Sequence, residues 1–393
     1  MANLFDEVDN TMKTNNVNFE RVLVLQGGGS LGAYECGVFK YLYKHKLEFD
    51  ILAGSSIGAV NTSIITSAQN GGENVAKVLE EFWLTISENV SPYKALITPL
   101  LSSDKTTAIW SSMNSILYGI PKAFLPKWFM PNSANYYFPF DWTYLYDPSP
   151  LKKTLKDFIN FENLKKDQNN AKKDGKKRAR LIITATDIQK GEPVVFDTAY
   201  QDITVDQIIA SIGYPFYGIR WSVANERYLW DGSLLTNTPL MEVFKASPIK
   251  NKKLFIVDVF PRKQKEIPQN MLEVWHRARD IIFMDKTDKN IEMLKINERS
   301  LNLLKKVYEI LNSEEAKVDE TTREKIKKLD HEYFELTHKY GAAVTDVIRV
   351  GREEKDSHYM LEDADFSRYR IKKLISKGEK DAELVITRGI NHD

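Results

Sequence analysis

A serine in a G-x-S-x-G pentapeptide can act as a nucleophile, and this sequence carries the pattern at Gly54-Ser55-Ser56-Ile57-Gly58. The pentapeptide stands between a short apolar segment and a helix-forming one. A serine on a sharp strand-to-helix turn is lifted clear of the sheet, and the flanking glycines let the backbone bend closely around it. Ser56 is therefore a candidate nucleophile for acyl transfer. The motif alone is equally consistent with a turn in which Ser56 only caps the following helix.

A glycine-rich segment earlier in the chain could bind an anion. It also follows an apolar stretch and opens a predicted helix, and it comprises Gly27, Gly28, Gly29, Ser30, Leu31 and Gly32. Backbone N–H groups at such glycines form a cradle for a phosphate or for the oxyanion of an acyl-transfer intermediate. The G-x-G-x-x-G spacing also fits a dinucleotide site, which requires an acidic residue at the end of the next strand. Asp50 precedes that strand, so the dinucleotide alternative is disfavoured.

A carboxylate in a third motif could serve as the base. Asp231-Gly232-Ser233 follows an apolar, strand-like segment. An aspartate beside a glycine at a strand end can face a neighbouring serine closely and take its proton during attack on an acyl carbon. Taken alone, Asp231 is more simply explained as a turn aspartate that bonds its own backbone.

The six histidines offer little support for a Ser-His-Asp triad. None lies in a glycine-rich turn or beside an apolar strand end, and those in charged helical sequence are expected to face solvent; the six are His45, His276, His331, His338, His358 and His392. The chain order Ser, Asp, His of the α/β-hydrolases is formally available. A histidine triad therefore stays open as an alternative to an aspartate base.

No metal or cofactor is expected from the remaining reactive side chains. The sequence has no Cys/His cluster and no H-E-x-x-H motif. Its single cysteine, Cys36, excludes an intramolecular disulfide. Cys36 lies near Gly32 and Gly37 on a predicted helix, with no basic group placed to lower its pKa, and we expect it to be a core residue.

The elements that must position these motifs indicate an α/β fold. Two strand–glycine turn–helix units within the first 70 residues predict a mostly parallel sheet. The predicted strands of these units are 21–26 and 51–53. The first predicted helix spans 31–45, and the second starts at the turn 54–58 and runs to about residue 69. Further strands are predicted at 180–186, 193–196, 228–230 and 253–259, of which the last is expected to be the final core strand.

A composition shift near 261–270 is the one candidate boundary, and we expect a flexible leader at 1–18, a catalytic domain at 19–262 and a helical C-terminal extension at 263–393. Within the catalytic domain, the aromatic and proline-broken stretch 88–147 is a candidate lid or acyl-chain pocket, with an ordinary insertion as the alternative. The basic segment 165–180 is expected to be a solvated loop rather than a contact for anionic lipid.

Bulk properties exclude several classes of partner. The chain has 393 residues and a net charge of +1, which gives no global field for nucleic acid. The acidic N-terminus lacks the features of a secretory signal, and no run of about 18 apolar residues could form a transmembrane segment. The sequence thus predicts a cytoplasmic protein, with peripheral membrane association as an option, and such a protein would have to reach any lipid from the aqueous side.

The three motifs in this order resemble those of the patatin-like phospholipase family, and the resemblance covers roughly residues 20–260. It implies a three-layer α/β/α sandwich and a Ser–Asp dyad with Ser56 as nucleophile and Asp231 as base. The implied oxyanion hole is the loop formed by Gly27, Gly28, Gly29 and Ser30. Two departures, Leu31 and Ser233, remove no reacting group but bear on head-group preference.

The resemblance also implies the reaction, which is phospholipase A- or lysophospholipase-type hydrolysis of lipid esters without a metal or cofactor. The segment at 275–283 and the one at 363–382 are similar to the helical extension of a bacterial patatin-like subgroup. Two alternatives stay open, namely an α/β-hydrolase esterase with a histidine triad and a non-catalytic protein that retains the fold.

Overall fold

The computed structural model describes residues 19–87, 104–130, 137–166, 178–264, 267–313, 319–352 and 362–389. The leader expected at 1–18 lies outside this part of the chain. So do portions of the 88–147 stretch and most of the basic segment 165–180.

The described strands form one large sheet and one small one. They are β1 (Phe19–Leu25), β2 (Ile51–Ser55), β3 (Leu125–Pro126), β4 (Tyr146–Asp147), β5 (Arg180–Asp187), β6 (Glu192–Asp197), β7 (Ser222–Ala224), β8 (Arg227–Asp231), β9 (Asn251–Asp258) and β10 (Val344–Gly351). Eight of these make the central sheet, in the order β10-β9-β1-β2-β5-β8-β7 with β6 also paired to β5, while β3 and β4 pair with each other.

The described helices flank this sheet and continue beyond it. They are α1 (Gly32–Lys44), α2 (Ile57–Gly71), α3 (Val75–Ile86), α4 (Asp104–Tyr118), α5 (Ser149–Phe158), α6 (Val205–Ala210), α7 (Leu240–Ala246), α8 (Met271–Asn312), α9 (Glu320–Tyr340) and α10 (Arg368–Gly389). No helix within the described ranges is both long and apolar enough to cross a membrane.

The sheet is parallel from β10 through β9, β1 and β2 to β5, and antiparallel where β5 meets β6 and β8. Its strands are apolar on both faces, as a parallel sheet covered by helices requires. Leu23 and Leu25 of β1 join a core with α1, α2, α3 and α10. Val22 and Val24 point the other way into a second core, with α7 and Leu294 of α8. This arrangement confirms the predicted mixed α/β fold with helices on both sides and a helical C-terminal region.

The C-terminal region also contributes a strand that the sequence did not predict. β10 adds to the sheet beside β9, so the expectation that 253–259 is the final core strand is wrong. Charged residues such as Asp346 and Arg349 interrupt its apolar pattern, which is common in edge strands.

α10 packs directly on α1, because two glycines allow their backbones to touch. A Cβ at Gly37 would lie 1.9 Å from the Ile375 carbonyl oxygen, and one at Gly378 would lie 2.1 Å from that of Tyr34. Gly37 of α1 thus serves this helix pair. Division of the chain near residue 262 stays a prediction, although elements from both sides of it share one sheet and one core.

Candidate active site

The three motifs meet at one edge of the central sheet. β1 and β2 run in parallel with Leu25 opposite Gly54, so the glycine-rich loop and Ser56 leave the sheet side by side. β8 runs antiparallel to β5 and places Asp231 opposite Ala185. The carboxyl ends of parallel strands are the usual location of sites in open α/β sheets. Asp50 accepts a hydrogen bond from the Arg21 amide at the other end of β1, far from an anion cradle.

Ser56 occupies a sharp strand-to-helix turn. Its φ of 54° and ψ of −126° are unusual for a residue with a side chain and indicate local strain. Gly58 lets the turn pass close to β1, since a Cβ there would lie 2.4 Å from the Leu25 carbonyl oxygen. The Ser56 amide donates to Ser211 Oγ at 3.0 Å. The Ser56 hydroxyl makes no capping hydrogen bond to α2, which argues against the helix-cap explanation.

Ser56 Oγ donates a hydrogen bond of 2.6 Å to Asp231 Oδ2. The other carboxylate oxygen accepts from the Ser233 amide at 2.7 Å, which fixes the orientation of the aspartate. Asp231 is fully buried, and burial raises its pKa from 3.8 to about 6, against the opposing effect of these hydrogen bonds. The pair has the geometry and protonation range of a nucleophile and its base.

The glycine-rich loop turns tightly before α1. Gly29 has a φ of +58° and begins a short 3-10 turn, Gly29–Leu31. The Gly27 amide, which the sequence assigned to the oxyanion hole, donates to Asn237 Oδ1 at 3.1 Å and is therefore engaged. The Gly28 amide donates to none of the described residues. The Gly27 amide is thus less available to an anion in the cavity than the Gly28 amide.

A cavity of about 320 Å³ opens beside these residues, and Ser56, Asp231 and the three loop glycines contribute to its lining. Its walls are mostly apolar. Much of one wall comes from the described part of the 88–147 stretch, namely Ile116, Ile120, Ala123, Phe124, Leu145 and Tyr146. The volume and the apolar lining suit an acyl chain.

Sequence reasoning missed the part of the site that comes from the C-terminal region. Arg279 and Phe283 of α8 line the cavity, as do Asp363 and Phe366 between β10 and α10. Asp363 belongs to the 3-10 turn Glu362–Ala364, which precedes α10. This turn contacts the glycine-rich loop, because Ser30 Oγ donates a hydrogen bond to the Glu362 carbonyl oxygen at 3.0 Å. No local motif marks these residues, because their role depends on the docking of α10 against α1.

The described histidines do not reach the cavity lining, which includes none of His45, His276 and His331. His276 was expected to face solvent, but it is partly buried on α8 beside Trp275, and burial lowers its pKa. The side chain of His338, as well as His358 and His392, lies outside the described residues.

Other reactive groups do not add to the site. Cys36 is buried in the core, and burial raises the pKa of its thiol. Within the described ranges, no group of three or more His, Cys, Asp or Glu side chains could hold a metal ion.

Comparison with protein families gives a match that covers most of the strands and helices around the candidate site. A family model described as patatin-like phospholipase matches residues 23–244, which is more than half of the chain. Among curated proteins, the triacylglycerol lipase SDP1L from Arabidopsis thaliana is 51% identical over 43 residues, or 11% of this chain. That segment spans only 5% of the lipase.

Two bacterial structures align with nearly all of the chain. VipD from Legionella pneumophila is 10% identical with a TM-score of 0.36, over 94% of this chain and 67% of VipD. The type III effector ExoU from Pseudomonas aeruginosa is 11% identical with a TM-score of 0.29. The alignment with ExoU covers 94% of this chain but only 53%, or about half, of the ExoU chain.

Proposed function

Because the chain belongs to the patatin-like phospholipase family, we propose that it hydrolyses lipid acyl esters with Ser56 as nucleophile and Asp231 as general base. Lipid ester hydrolysis in general follows from the family. The observation that supports the two roles is the 2.6 Å hydrogen bond from Ser56 Oγ to a fully buried carboxylate.

In the first half-reaction, Asp231 accepts the hydroxyl proton while Ser56 Oγ attacks the ester carbonyl carbon. The amides of Gly28, Gly29 and Ser30 stabilise the negative oxygen that forms, and one such donor typically contributes about 3 kcal/mol to the transition state. Collapse of the tetrahedral intermediate breaks the bond to the leaving alcohol, which takes the proton back from Asp231. The acyl group is then an ester of Ser56.

In the second half-reaction, Asp231 removes a proton from a water molecule that attacks the acyl-serine. The same amides stabilise the second oxyanion, and its collapse releases the fatty acid and restores the Ser56 hydroxyl. The residues of the site perform every proton transfer of this scheme.

Phospholipase A- or lysophospholipase-type substrates at a membrane surface fit the surroundings of the site. The cavity wall suits an acyl chain, and two of its lining residues, Leu145 and Phe216, are also 43% and 67% exposed. Phe138 and Phe140, in the aromatic stretch 88–147, are also exposed. Aromatic and aliphatic side chains of this kind favour contact with a lipid interface, which supports peripheral contact with a membrane.

Labelling with a fluorophosphonate tests the nucleophile. We expect the probe to modify Ser56, as located by peptide mass mapping, and Ser56→Ala to lose both labelling and ester hydrolysis. Ser55→Ala is the matched control, because Ser55 is the adjacent buried serine and its hydroxyl has no partner among the described residues. The assignment is wrong if Ser56→Ala retains its activity.

Histidine substitution separates this dyad from an α/β-hydrolase triad. The dyad predicts that His276→Gln, His338→Gln and each of the other four single replacements retain activity within about threefold, because Asp231 already bonds Ser56 directly. Loss of about a thousandfold in any one of them would favour the triad.

A further inference from the structure

A polar cluster interrupts the otherwise apolar cavity. Arg279, Tyr217 and Asp363 all line it, and Asp363 and Arg279 are only 4% and 7% exposed. Arg279 donates from Nη1 to Asp363 Oδ2 and to the Tyr217 hydroxyl, and Tyr217 in turn donates to Asp363 Oδ2. Such a cluster in a cavity wall is a candidate recognition site for a polar part of the substrate.

The second carboxylate oxygen of Asp363 is the unusual atom of this cluster. Asp363 Oδ1 is buried and accepts no hydrogen bond from any residue in the described ranges. A buried charged acceptor without a donor is costly, so a ligand hydroxyl that bonds this atom, after a rotation of the Asp363 side chain exposes it to the cavity, gains free energy. Asp363 also lies against the oxyanion loop, since a Cβ at Gly29 would be 2.6 Å from its carbonyl oxygen.

We propose that Asp363 accepts a hydrogen bond from a free hydroxyl on the alcohol part of the ester. This inference rests on the proposed function and narrows its substrate class. The substrate is then a partial ester of glycerol, with an unesterified hydroxyl beside the ester that is cleaved. A lysophospholipid and a monoacylglycerol both supply that hydroxyl.

Charge and hydrogen bonding at the cluster disfavour a phosphate as its ligand. Arg279 Nε and Nη2 already donate to Asp280 Oδ1, at 3.2 and 2.8 Å, in addition to the two bonds from Nη1. Two buried carboxylates, Asp280 and Asp363, face this single guanidinium. An anionic head group would meet an excess of negative charge, whereas a hydroxyl donor would not.

Rates on matched esters test the proposal with the wild-type protein. One pair is a 1-acyl lysophosphatidylcholine and its 2-deoxy analogue, and the other is a 1-acylglycerol and the 1-acyl ester of 1,3-propanediol. We expect kcat/KM to be about 10-fold or more higher for the hydroxylated member of at least one pair. The pair that shows the preference identifies the source of the hydroxyl, and equal rates within both pairs would overturn the proposal.

Variants locate the preference at Asp363. In Asp363→Asn and Asp363→Ala we expect the ratio of hydroxylated to deoxy rates, both measured on the same variant, to fall to about twofold or less. Asp365→Asn is the control, because it makes the same substitution two positions away, outside the cavity lining, and should keep the ratio. If the Asp363 variants do not fold, the rate ratios of the wild-type protein still test whether the site prefers a hydroxylated substrate.

The two proposals fail in different ways. Wild-type protein that cleaves all four esters, with Ser56→Ala inactive on each and no preference for hydroxyl, contradicts only the role of Asp363. Wild-type protein that cleaves none of them contradicts the proposed function and the substrate class with it.

Discussion

Ser56 and Asp231 share a 2.6 Å hydrogen bond in which the serine is at the cavity and the aspartate is withdrawn from solvent. The two residues are 175 positions apart in the chain. Burial of the carboxylate makes it a stronger base than an ordinary aspartate, because the pKa is raised to about 6. The protonation state of Asp231 therefore affects both the rate of hydrolysis and the free energy of unfolding.

The pH dependence of hydrolysis should show an acid limb with a midpoint near pH 6. Asp231 must be ionised to accept the Ser56 proton, so kcat/KM falls as the pH drops through its raised pKa of about 6. Below that midpoint we expect about a tenfold loss per pH unit. A profile of kcat/KM against pH on a substrate without titratable groups measures this, and a midpoint near pH 4 would contradict it.

Asp231→Asn should reduce activity but increase stability. We expect kcat to fall by about 10²- to 10⁴-fold, because the amide cannot accept the serine proton. The folded-state pKa lies above the unfolded one, so the aspartate favours folding below pH 3.8 and loses that contribution as the pH rises through about 6. A shift of this size corresponds to about 3 kcal/mol.

Urea unfolding at two pH values measures the effect. Asp231→Asn should exceed wild type in unfolding free energy by up to about 3 kcal/mol at pH 8, and the difference should shrink below pH 4. Asp206→Asn, at a half-exposed aspartate paired with Lys152, is a control that should show no such gain. A less stable Asp231→Asn protein at pH 8 would argue against the buried, destabilising carboxylate.

Gly29→Ala should impair the oxyanion loop. The residue has a φ of +58°, and an added Cβ would lie 2.6 Å from the Asp363 carbonyl oxygen, so the loop must move. Displaced amides should lower kcat by about 10²- to 10³-fold. Gly72→Ala is a matched control, since Gly72 has a φ of +74° but open space around it. Steady-state kinetics give kcat for both variants. An equal loss of kcat in both would indicate that backbone strain, and not displacement of the glycine-rich loop, causes the loss.

Glu362→Ala should destabilise the whole protein. The Glu362 carboxylate accepts hydrogen bonds of 2.9 Å from both Arg352 and Arg370, and all three side chains are buried. Removal of one member of such a network typically costs about 3 to 5 kcal/mol. Thermal unfolding measures the loss, with Glu81→Ala as a control at an exposed pair with Lys77 that should change little. An unchanged unfolding temperature in Glu362→Ala would contradict the claim that this hydrogen-bond network stabilises the protein.

The early part of the fold was predictable because local sequence encodes it. Apolar runs that end in glycine predicted β1 and β2 and the helices after them, with boundaries within a few residues of those observed. The three motifs also carried enough chemistry to indicate the family, and the match over 23–244 confirms that resemblance. Ser56 and Asp231 stay assignments whose support is their geometry.

The remainder depends on tertiary contacts that no local pattern encodes. β10 was missed because Asp346 and Arg349 interrupt its apolar pattern. Asp363 could not be placed at the site, since its turn meets the glycine-rich loop through long-range contacts such as that of Ser30 with Glu362. The Gly27 amide could not be known to be engaged before Asn237 was located beside it.

The hydrogen bond from Ser30 to Glu362 has a kinetic consequence, because it joins residues 332 positions apart. Contacts of such long sequence separation form slowly, since a large loop must close before they contribute. We therefore expect refolding in two observable phases. Tryptophan fluorescence should recover as the sheet and its first helices assemble, and ester hydrolysis should return only later, when the C-terminal turn docks behind the glycine-rich loop.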